Sequence, residues 1–296
     1  MTKEQLAKYL QPGRTELLEG VLYLDASSLT AWQKCRRLWY MGSWLSWEPS
    51  ERPLDARDKG SAWGRALDLI WLSPSPSQEE IKSALGPDHE SLVQSVLEYQ
   101  SATREWRESF VQVEAEHFIL LPLTSTISLF GWVDKVAIDR QGKVWMPEHK
   151  TGGEKSPPSL IFQQHRHTLQ IGLYTLYGVR TFGERFGGVV VDAAQLSLKG
   201  NTFAHRVVDI FPEHLQMVES ELCYLAEEVA RGLHFPQVLH RNTTSCYDFF
   251  RECVFAAGCH YCADLRTLQL PGGMRVRPRD QMEEEDELGG TGAERS

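Results

Sequence analysis

The stretch from Gly131 to Thr151 constrains the fold most. It reads as two runs of alternating apolar residues joined by Asp139-Arg140-Gln141-Gly142, the pattern of a β-hairpin. With a three-residue loop, Gly142 takes the left-handed bulge position after a type I turn, a conformation open to glycine without steric cost. Asp139 then pairs with Lys143. Counting inward places Ile138 opposite Val144, Val136 opposite Met146, Asp134 opposite Glu148 and Trp132 opposite Lys150. Side chains alternate with period two, so all of these share one face. Directly opposed residues bring their Cβ atoms to roughly 4.5–5.5 Å. Two carboxylates therefore meet at the rim of an apolar face, with an ammonium one step further on. A two-residue loop would send Asp134 and Glu148 to opposite faces, so the expectation depends on register.

Two like charges this close repel, and each raises the other's pKa unless a cation lies between them. Magnesium or manganese suits an all-oxygen site and keeps several waters as further ligands. Such a metal lowers the pKa of a bound water and neutralises charge on a phosphate oxygen, while a nearby lysine holds or activates the attacking water. Asp, Glu and Lys at a strand end are otherwise ordinary solvated charges. The rest of the chain bears on that choice.

Gly131-Trp132-Val133-Asp134 followed by Glu148-His149-Lys150-Thr151 resembles the active-site core of the PD-(D/E)XK nuclease superfamily. The resemblance implies that Asp134 and Glu148 ligate Mg2+ or Mn2+, joined by the backbone carbonyl of His149, and that Lys150 positions the nucleophilic water. Other segments are similar, in order, to the RecB-like branch of that superfamily. Asp25-Ala-Ser-Ser28 offers capping residues for a helix from Leu29 to Tyr40, as polar side chains before an apolar run do. The phrase Ser27-x-Leu29-x-x-Trp32-x-x-Cys35-x-Arg37-x-x-Tyr40 resembles the N-terminal helix of members that carry an iron–sulfur cluster. Residues 58–71 have helical apolar periodicity and resemble the branch's Gly-x-x-x-His-x-x-Leu-Glu element. Gly60, Leu67 and Asp68 fit it, but Gly64 stands where the family has a metal-ligating histidine. Glycine supplies no ligand and costs a helix about 1 kcal/mol relative to alanine. The departure implies an incomplete metal site, a substitute group or weakened catalysis. Gln170 and Tyr174 lie four apart on a helix expected from His167 to about Thr181 and so share a face. They match the branch's Gln-x-x-x-Tyr, implied to contact the DNA strand. His165 and His167, at i and i+2, do not face one another and read as surface polar residues.

Between these motifs the chain alternates in character. Residues 73–77 read as a Pro-Ser linker, followed by helices at about 78–85 and 88–109 and a strand from Val111 to Leu121. Glu114 and Glu116 fall on one face of that strand, and Glu116 is a candidate to face the metal. Gly187 to Leu198 is nearly continuous apolar sequence, the mark of a central strand. Ala204 to Ile210 reads as a second strand. Pro212 to Leu233 reads as an amphipathic helix with Cys223 in its core face.

Cys246-x6-Cys253-x5-Cys259-x2-Cys262 places four cysteines close together, a density that in an intracellular chain indicates metal before disulfides. Zinc takes four thiolates tetrahedrally but favours two close pairs, and only Cys259 and Cys262 are close. An iron–sulfur cluster also takes four thiolates, one of which can come from afar. The run from Arg241 to Cys259 resembles the C-terminal end of phage-type RecB-like exonucleases. That resemblance implies Cys35, Cys246, Cys253 and Cys259 as ligands of a [4Fe-4S] cluster, with Cys262 spare, so that the cluster staples the two ends of the chain around the core.

At 296 residues and 42% apolar content, the chain can bury one sizeable core. Its net charge of −9 argues against a general DNA coat protein, so nucleic acid must be met through a local basic groove or through metals. Part of that charge is Glu283 to Glu287, in a Gly- and Pro-containing tail that reads as disordered. No apolar run of membrane-spanning length and no secretory signal occurs, so a soluble, cytoplasmic protein of a prokaryotic or phage-infected cell is expected. The expected fold is α/β: a restriction-endonuclease-like core over residues 25–265, with a central mixed sheet flanked by helices. It carries a helical insertion at about 73–110 and the cysteine-rich element at 246–262. Residues 1–24 form an N-terminal extension and 266–296 an acidic tail. The resemblance implies metal-dependent hydrolysis of DNA phosphodiester bonds, exonucleolytic on single strands or ends, in recombination or repair beside a helicase or recombination partner. Gly64 leaves open a catalytically weak nucleic-acid-binding module on the same fold. The cysteines leave open a zinc-stapled interaction protein in which the hairpin charges are incidental.

Overall fold

The computed structural model describes residues 1–51, 56–73, 75–209, 211–248, 251–256, 259 and 265–277. Ile210, Cys262 and the acidic run Glu283 to Glu287 lie outside the described residues.

The first elements are α1 (Lys3–Tyr9), β1 (Glu16–Leu18), β2 (Val21–Asp25), α2 (Ala26–Lys34), α3 (Arg36–Trp39) and β3 (Trp47–Pro49). The helix expected from Leu29 to Tyr40 thus starts at Ala26 and is interrupted at Cys35, whose backbone is extended at φ −163° and ψ 119°. Asp25 caps α2 as expected, accepting from the Ser28 N–H at 2.7 Å. The N-terminal extension expected at residues 1–24 holds a helix and two strands, the second ending at Asp25. Glu19 and Gly20 both have positive φ, as a tight hairpin turn requires, and they fold β1 back on β2.

Next come α4 (Ala56–Leu72), α5 (Gln78–Leu85), α6 (Val93–Ala102) and α7 (Arg104–Arg107). The long helix expected at 88–109 is therefore broken. A 3-10 turn occupies Pro87–Leu92, and Thr103 separates α6 from α7 with its hydroxyl donating to the Tyr99 carbonyl at 2.8 Å, a side-chain bond that competes with helix continuation. The sheet continues with β4 (Phe110–Pro122), β5 (Ile127–Asp139) and β6 (Val144–Gly152). Then follow α8 (Pro158–His165), α9 (Leu169–Phe182), β7 (Phe186–Gln195), β8 (Thr202–Val207) and α10 (Pro212–His234). Short strands β9 (Tyr247–Asp248), β10 (Arg251–Glu252) and β11 (Met274–Val276) complete the described chain.

Seven strands form one mixed sheet in the order β1-β2-β5-β6-β7-β8, with β4 on β5. The β2–β5 and β6–β7 pairs are parallel and the others antiparallel. Along β7, Val189 and Val191 pack with α2, α9 and α10 in the main core, whereas Ala194 and Leu196 join α4, α5 and α6 in a second one. This alternation, fixed by the pleat, gives a helix–sheet–helix sandwich, the α/β architecture expected. Cys223 is a correction: the buried stripe of α10 is Leu222, Leu225, Ala226, Val229 and Gly232, and Cys223 lies half-buried at its margin. No described helix is long and apolar enough to cross a membrane.

Candidate active site

The hairpin turn forms as its composition predicts. Gly142 sits at φ 79°, its N–H donates to the Asp139 carbonyl at 3.0 Å, and the Asp139 N–H donates to Lys143 at 3.0 Å. The Asp139 carboxylate accepts from Gln141 and Lys143 N–H and from the Trp145 indole. These bonds, the indole's foremost, hold its carboxyl below the usual carboxylate range.

The ladder then differs from the simple count. Ala137–Trp145 and Ile138–Val144 pair in the expected register, but Val136–Met146, Asp134–Glu148 and Trp132–Lys150 are not ladder pairs. The strands part because β6 turns its hydrogen bonding to β7, from Trp145–Gly188 onward, and because Pro147 has no N–H to offer β5. On the same edge of β5, β2 pairs only with Ile127 to Phe130. Gly131 to Val136 therefore line a fork in the sheet, and Asp134 lies inside it.

Other groups occupy that fork. Asp134 Oδ2 accepts from the His149 backbone N–H at 2.7 Å, so a carboxylate stands where a β5 carbonyl would otherwise receive it. Tyr174 donates its hydroxyl to the Trp132 carbonyl at 2.5 Å, and Gln170 Nε2 donates to the same hydroxyl at 3.0 Å. Lys150 Nζ donates to Glu148 Oε1 at 2.8 Å and to Gln170 Oε1 at 2.9 Å. Asp134, Glu148, Lys150, Gln170 and Tyr174, scattered over forty residues of sequence, thus form one connected cluster. Its members come from β5, β6 and α9.

The electrostatics of this cluster are unbalanced. Glu148 is 2% exposed, and its Oε2 is buried without a hydrogen-bond partner. Burial first, and then the charge of Asp134, raise its carboxyl to about 7 against the opposing pull of Lys150. Burial alone would lower the Lys150 ammonium, but the charges of Glu148 and Asp134 outweigh it and raise its pKa. Burial and then the Glu148 charge push the Tyr174 phenol well above its usual value, keeping it a donor. A bare carboxylate oxygen beside a second carboxylate is a donor set that fits a hard divalent cation. Among the described residues, no three His, Cys, Asp or Glu side chains are gathered closely enough to form a complete ligand set by themselves, and Mg2+ or Mn2+ ordinarily completes its shell with water.

The cluster opens into a cavity of about 820 Å3 whose walls include Gly60, Gly64, Asp68, Glu116 and His165. Gly60, Gly64 and Asp68 are spaced by four along α4 and form one stripe facing the cavity. A Cβ added at Gly64 would meet no atom within 4 Å, so the position expected to carry a ligand faces open space. Asp68 is bonded to Lys135 Nζ, a lysine with no exposed surface that the sequence reading did not single out. Glu116 lies between Ala115–Lys135 and His117–Val133 in the β4–β5 register, level with Asp134, with φ at 50°. That left-handed backbone is uncommon outside glycine and concentrates at functional sites. Glu114 is exposed and paired with His117 at 2.7 Å, whereas Glu116 lines the cavity. His165 is a second correction. It is half-buried and lines the cavity, and burial, followed by the Lys150 charge, lowers its pKa to about 4. His167 is exposed, with its ring centroid 5.6 Å from that of His214, as a surface residue should be.

At the far end of the chain, Cys35 and Cys259 are buried, Cys246 and Cys253 half-buried, and all are free thiols. Burial first, then the neighbouring Cys246, Cys35 and Cys259, push the Cys253 thiol up. The Asn242 N–H points at Cys35 Sγ at 3.5 Å, and the Cys253 N–H donates to the Cys246 carbonyl at 2.8 Å. Among the described residues, which include these four, no three His, Cys, Asp or Glu side chains are gathered closely enough to hold a metal ion.

Residues 24–263 match the family model of the PD-(D/E)XK nuclease superfamily. No curated protein matches the sequence. Among solved structures, the crystal structure of SSO0001 is similar with 12% identity and a TM-score of 0.33, over 77% of this chain and 81% of that one.

Proposed function

The chain belongs to the PD-(D/E)XK nuclease superfamily, and on that premise we propose that the fork between β5 and β6 is a cation-dependent site for hydrolysis of DNA phosphodiester bonds, cutting single strands or free ends. The observation that carries this reading is the bare, buried Glu148 Oε2 beside Asp134. Asp134, Glu148 and the His149 carbonyl would hold Mg2+ or Mn2+, which supplies a water of lowered pKa and charge neutralisation at phosphate. Lys150 serves the attacking water: its ammonium is held by Glu148 and Gln170 at a fixed place and offers its remaining proton toward the cavity. Gln170 and Tyr174 fix that lysine and the β5 edge, and from there they position the strand. A role in recombination or repair beside a helicase follows from the RecB-like order of the motifs. In the test, end-labelled single-stranded DNA is incubated with the anaerobically purified protein and Mn2+ or Mg2+. Cleavage requires the cation and is lost in Asp134→Ala; cleavage that survives chelation, or that persists in the variant, contradicts the reading.

One observation favours a second reading. Gly64 supplies no ligand at the α4 position where the family has a histidine and faces open space instead, which suits a weak catalyst that chiefly binds nucleic acid. Gly64→His discriminates, since an inactive parent that gains activity supports the binding module and a fully active parent excludes it. We further assign Cys35, Cys246, Cys253 and Cys259 to one iron–sulfur cluster, on the resemblance of the cysteine motifs and on Asn242, which approaches both Cys35 Sγ at 3.5 Å and Cys246 Sγ at 3.7 Å; zinc without iron in the anaerobic protein would favour the zinc staple instead.

A further inference from the structure

The alternation that turns Glu148 and Lys150 toward α9 turns the intervening His149 to the opposite face of the sheet. There its side chain is 3% exposed and that of Asp192, its cross-strand partner on β7, is 1% exposed. His149 Nδ1 and Asp192 Oδ2 are 2.7 Å apart. The Tyr99 hydroxyl, from α6, donates to the same oxygen at 2.5 Å and accepts from the Trp71 indole of α4 at 3.2 Å. The Trp71 and His149 rings are also adjacent, with centroids 5.9 Å apart. A buried polar chain therefore runs from the helical insertion through the sheet to the residue between Glu148 and Lys150.

This chain is costly to bury, because His149 Nε2 and Asp192 Oδ1 have no partner and each unpaired buried polar atom is destabilising. A purely apolar contact would have joined helix to sheet more cheaply. What the chain adds is direction. It fixes the His149 ring from one face of the sheet, while the His149 N–H is fixed across the fork by Asp134 Oδ2. A residue held at both its ring and its peptide cannot swivel, so the peptide that separates Glu148 from Lys150 keeps one orientation. The insertion reaches the candidate cation site by this route as well as by α4.

We propose that Asp192 and Tyr99 are positioning residues for that site: through His149 they set the orientation of the Glu148–Lys150 strand and the Asp134 carboxylate, and so its affinity for a divalent cation. The inference rests on the reading of Asp134 and Glu148 as cation ligands. Partners of this kind, one step behind the ligands, typically carry about 10–100-fold in metal affinity.

The experiment is calorimetric titration of the full-length protein with Mn2+, without DNA, for the parent, Asp134→Ala, Asp192→Asn, Tyr99→Phe and the double variant Tyr99→Phe/Asp192→Asn. Leu85→Ala, a buried position of the same insertion outside the chain of bonds, serves as the control for general loosening. The expected result is a parent that binds, an Asp134→Ala variant that does not, and an Mn2+ Kd raised about tenfold or more in Asp192→Asn and Tyr99→Phe. The double variant should be no weaker than the weaker single one, because both act through His149. Leu85→Ala should lower the melting temperature and leave the Kd unchanged. If Asp192→Asn does not fold, Tyr99→Phe, which removes a single oxygen, reads the same prediction. Parent-like Kd in a folded Tyr99→Phe overturns the inference while the site reading stands, as does a Leu85→Ala Kd raised as much as theirs. A parent that binds no Mn2+, or an Asp134→Ala variant that binds like the parent, overturns the site reading itself.

Discussion

At the scale of single residues, the site is a set of charges whose neighbours are chosen by distance in space. Asp134 and Glu148 were legible in the sequence through their Gly-x-x-Asp and Glu-x-Lys motifs; Gly142 has the backbone that the turn requires, but the turn fixes the register only at Ala137–Trp145 and Ile138–Val144. Lys135 was not legible. It follows Asp134 directly, yet its amine is buried against Asp68, and the only sequence signal was a charged residue inside an otherwise apolar strand. Asp192, within Val189-Val190-Val191-Asp192-Ala193, gave the same kind of signal for the same reason. Removing one member of a buried pair leaves the other uncompensated and costs about 3–5 kcal/mol. Asp68→Ala should accordingly lower the unfolding free energy by that amount in urea titrations, and adding Lys135→Met should restore most of it. A loss below about 1 kcal/mol, the ordinary value for an exposed pair, would mean that Lys135 is not held as described.

At the scale of elements, the site exists because two strands leave one another. The hairpin near its turn was predictable, since it depends on residues close in sequence. The fork was not, because it depends on β6 pairing with β7 forty residues later. The break at Cys35 also involves distant sequence, because its Sγ faces the Asn242 N–H, more than two hundred residues away, whereas the break at Thr103 is local. Helix α9 brings Gln170 and Tyr174 to the fork, and its placement depends on small residues. A Cβ at Gly178 would come within 2.3 Å of the Phe186 ring, so there is no room for one unless that ring or α9 shifts. Gly178→Ala should cost about 1–3 kcal/mol, as overpacking of a close-packed core does, despite alanine's better helix propensity. A variant as stable as the parent in urea would show that α9 has slack against the sheet.

At the scale of the whole molecule, the ends of the chain close around the core. The Asn242 side chain donates to the Lys34 carbonyl at 2.8 Å, Arg36 meets Glu228 at 2.8 Å, and β11 pairs with β3. The proposed cluster lies at this closure, so Cys35→Ser should lose iron and acid-labile sulfide together and lower the melting temperature; a variant with the parent's iron content would remove Cys35 from the ligand set. The α/β class was legible through the resemblance that the ordered motifs carry, and the same motifs gave the site its candidate residues. β1 and β2 were missed, although Glu19-Gly20 carries a turn signal, because each strand is short and β2, on which β1 lies, is held in the sheet by β5. Whether the fork in this sheet hydrolyses phosphodiester bonds is decided by single-turnover cleavage of end-labelled single-stranded DNA by the parent and by Lys150→Ala, in Mn2+. The parent should cleave, and the variant should do so at a rate at least about 100-fold lower, the usual loss for a positioned proton-handling group. Equal rates in the two, or no cleavage by a folded, Mn2+-bound parent, would rule out hydrolysis at this fork.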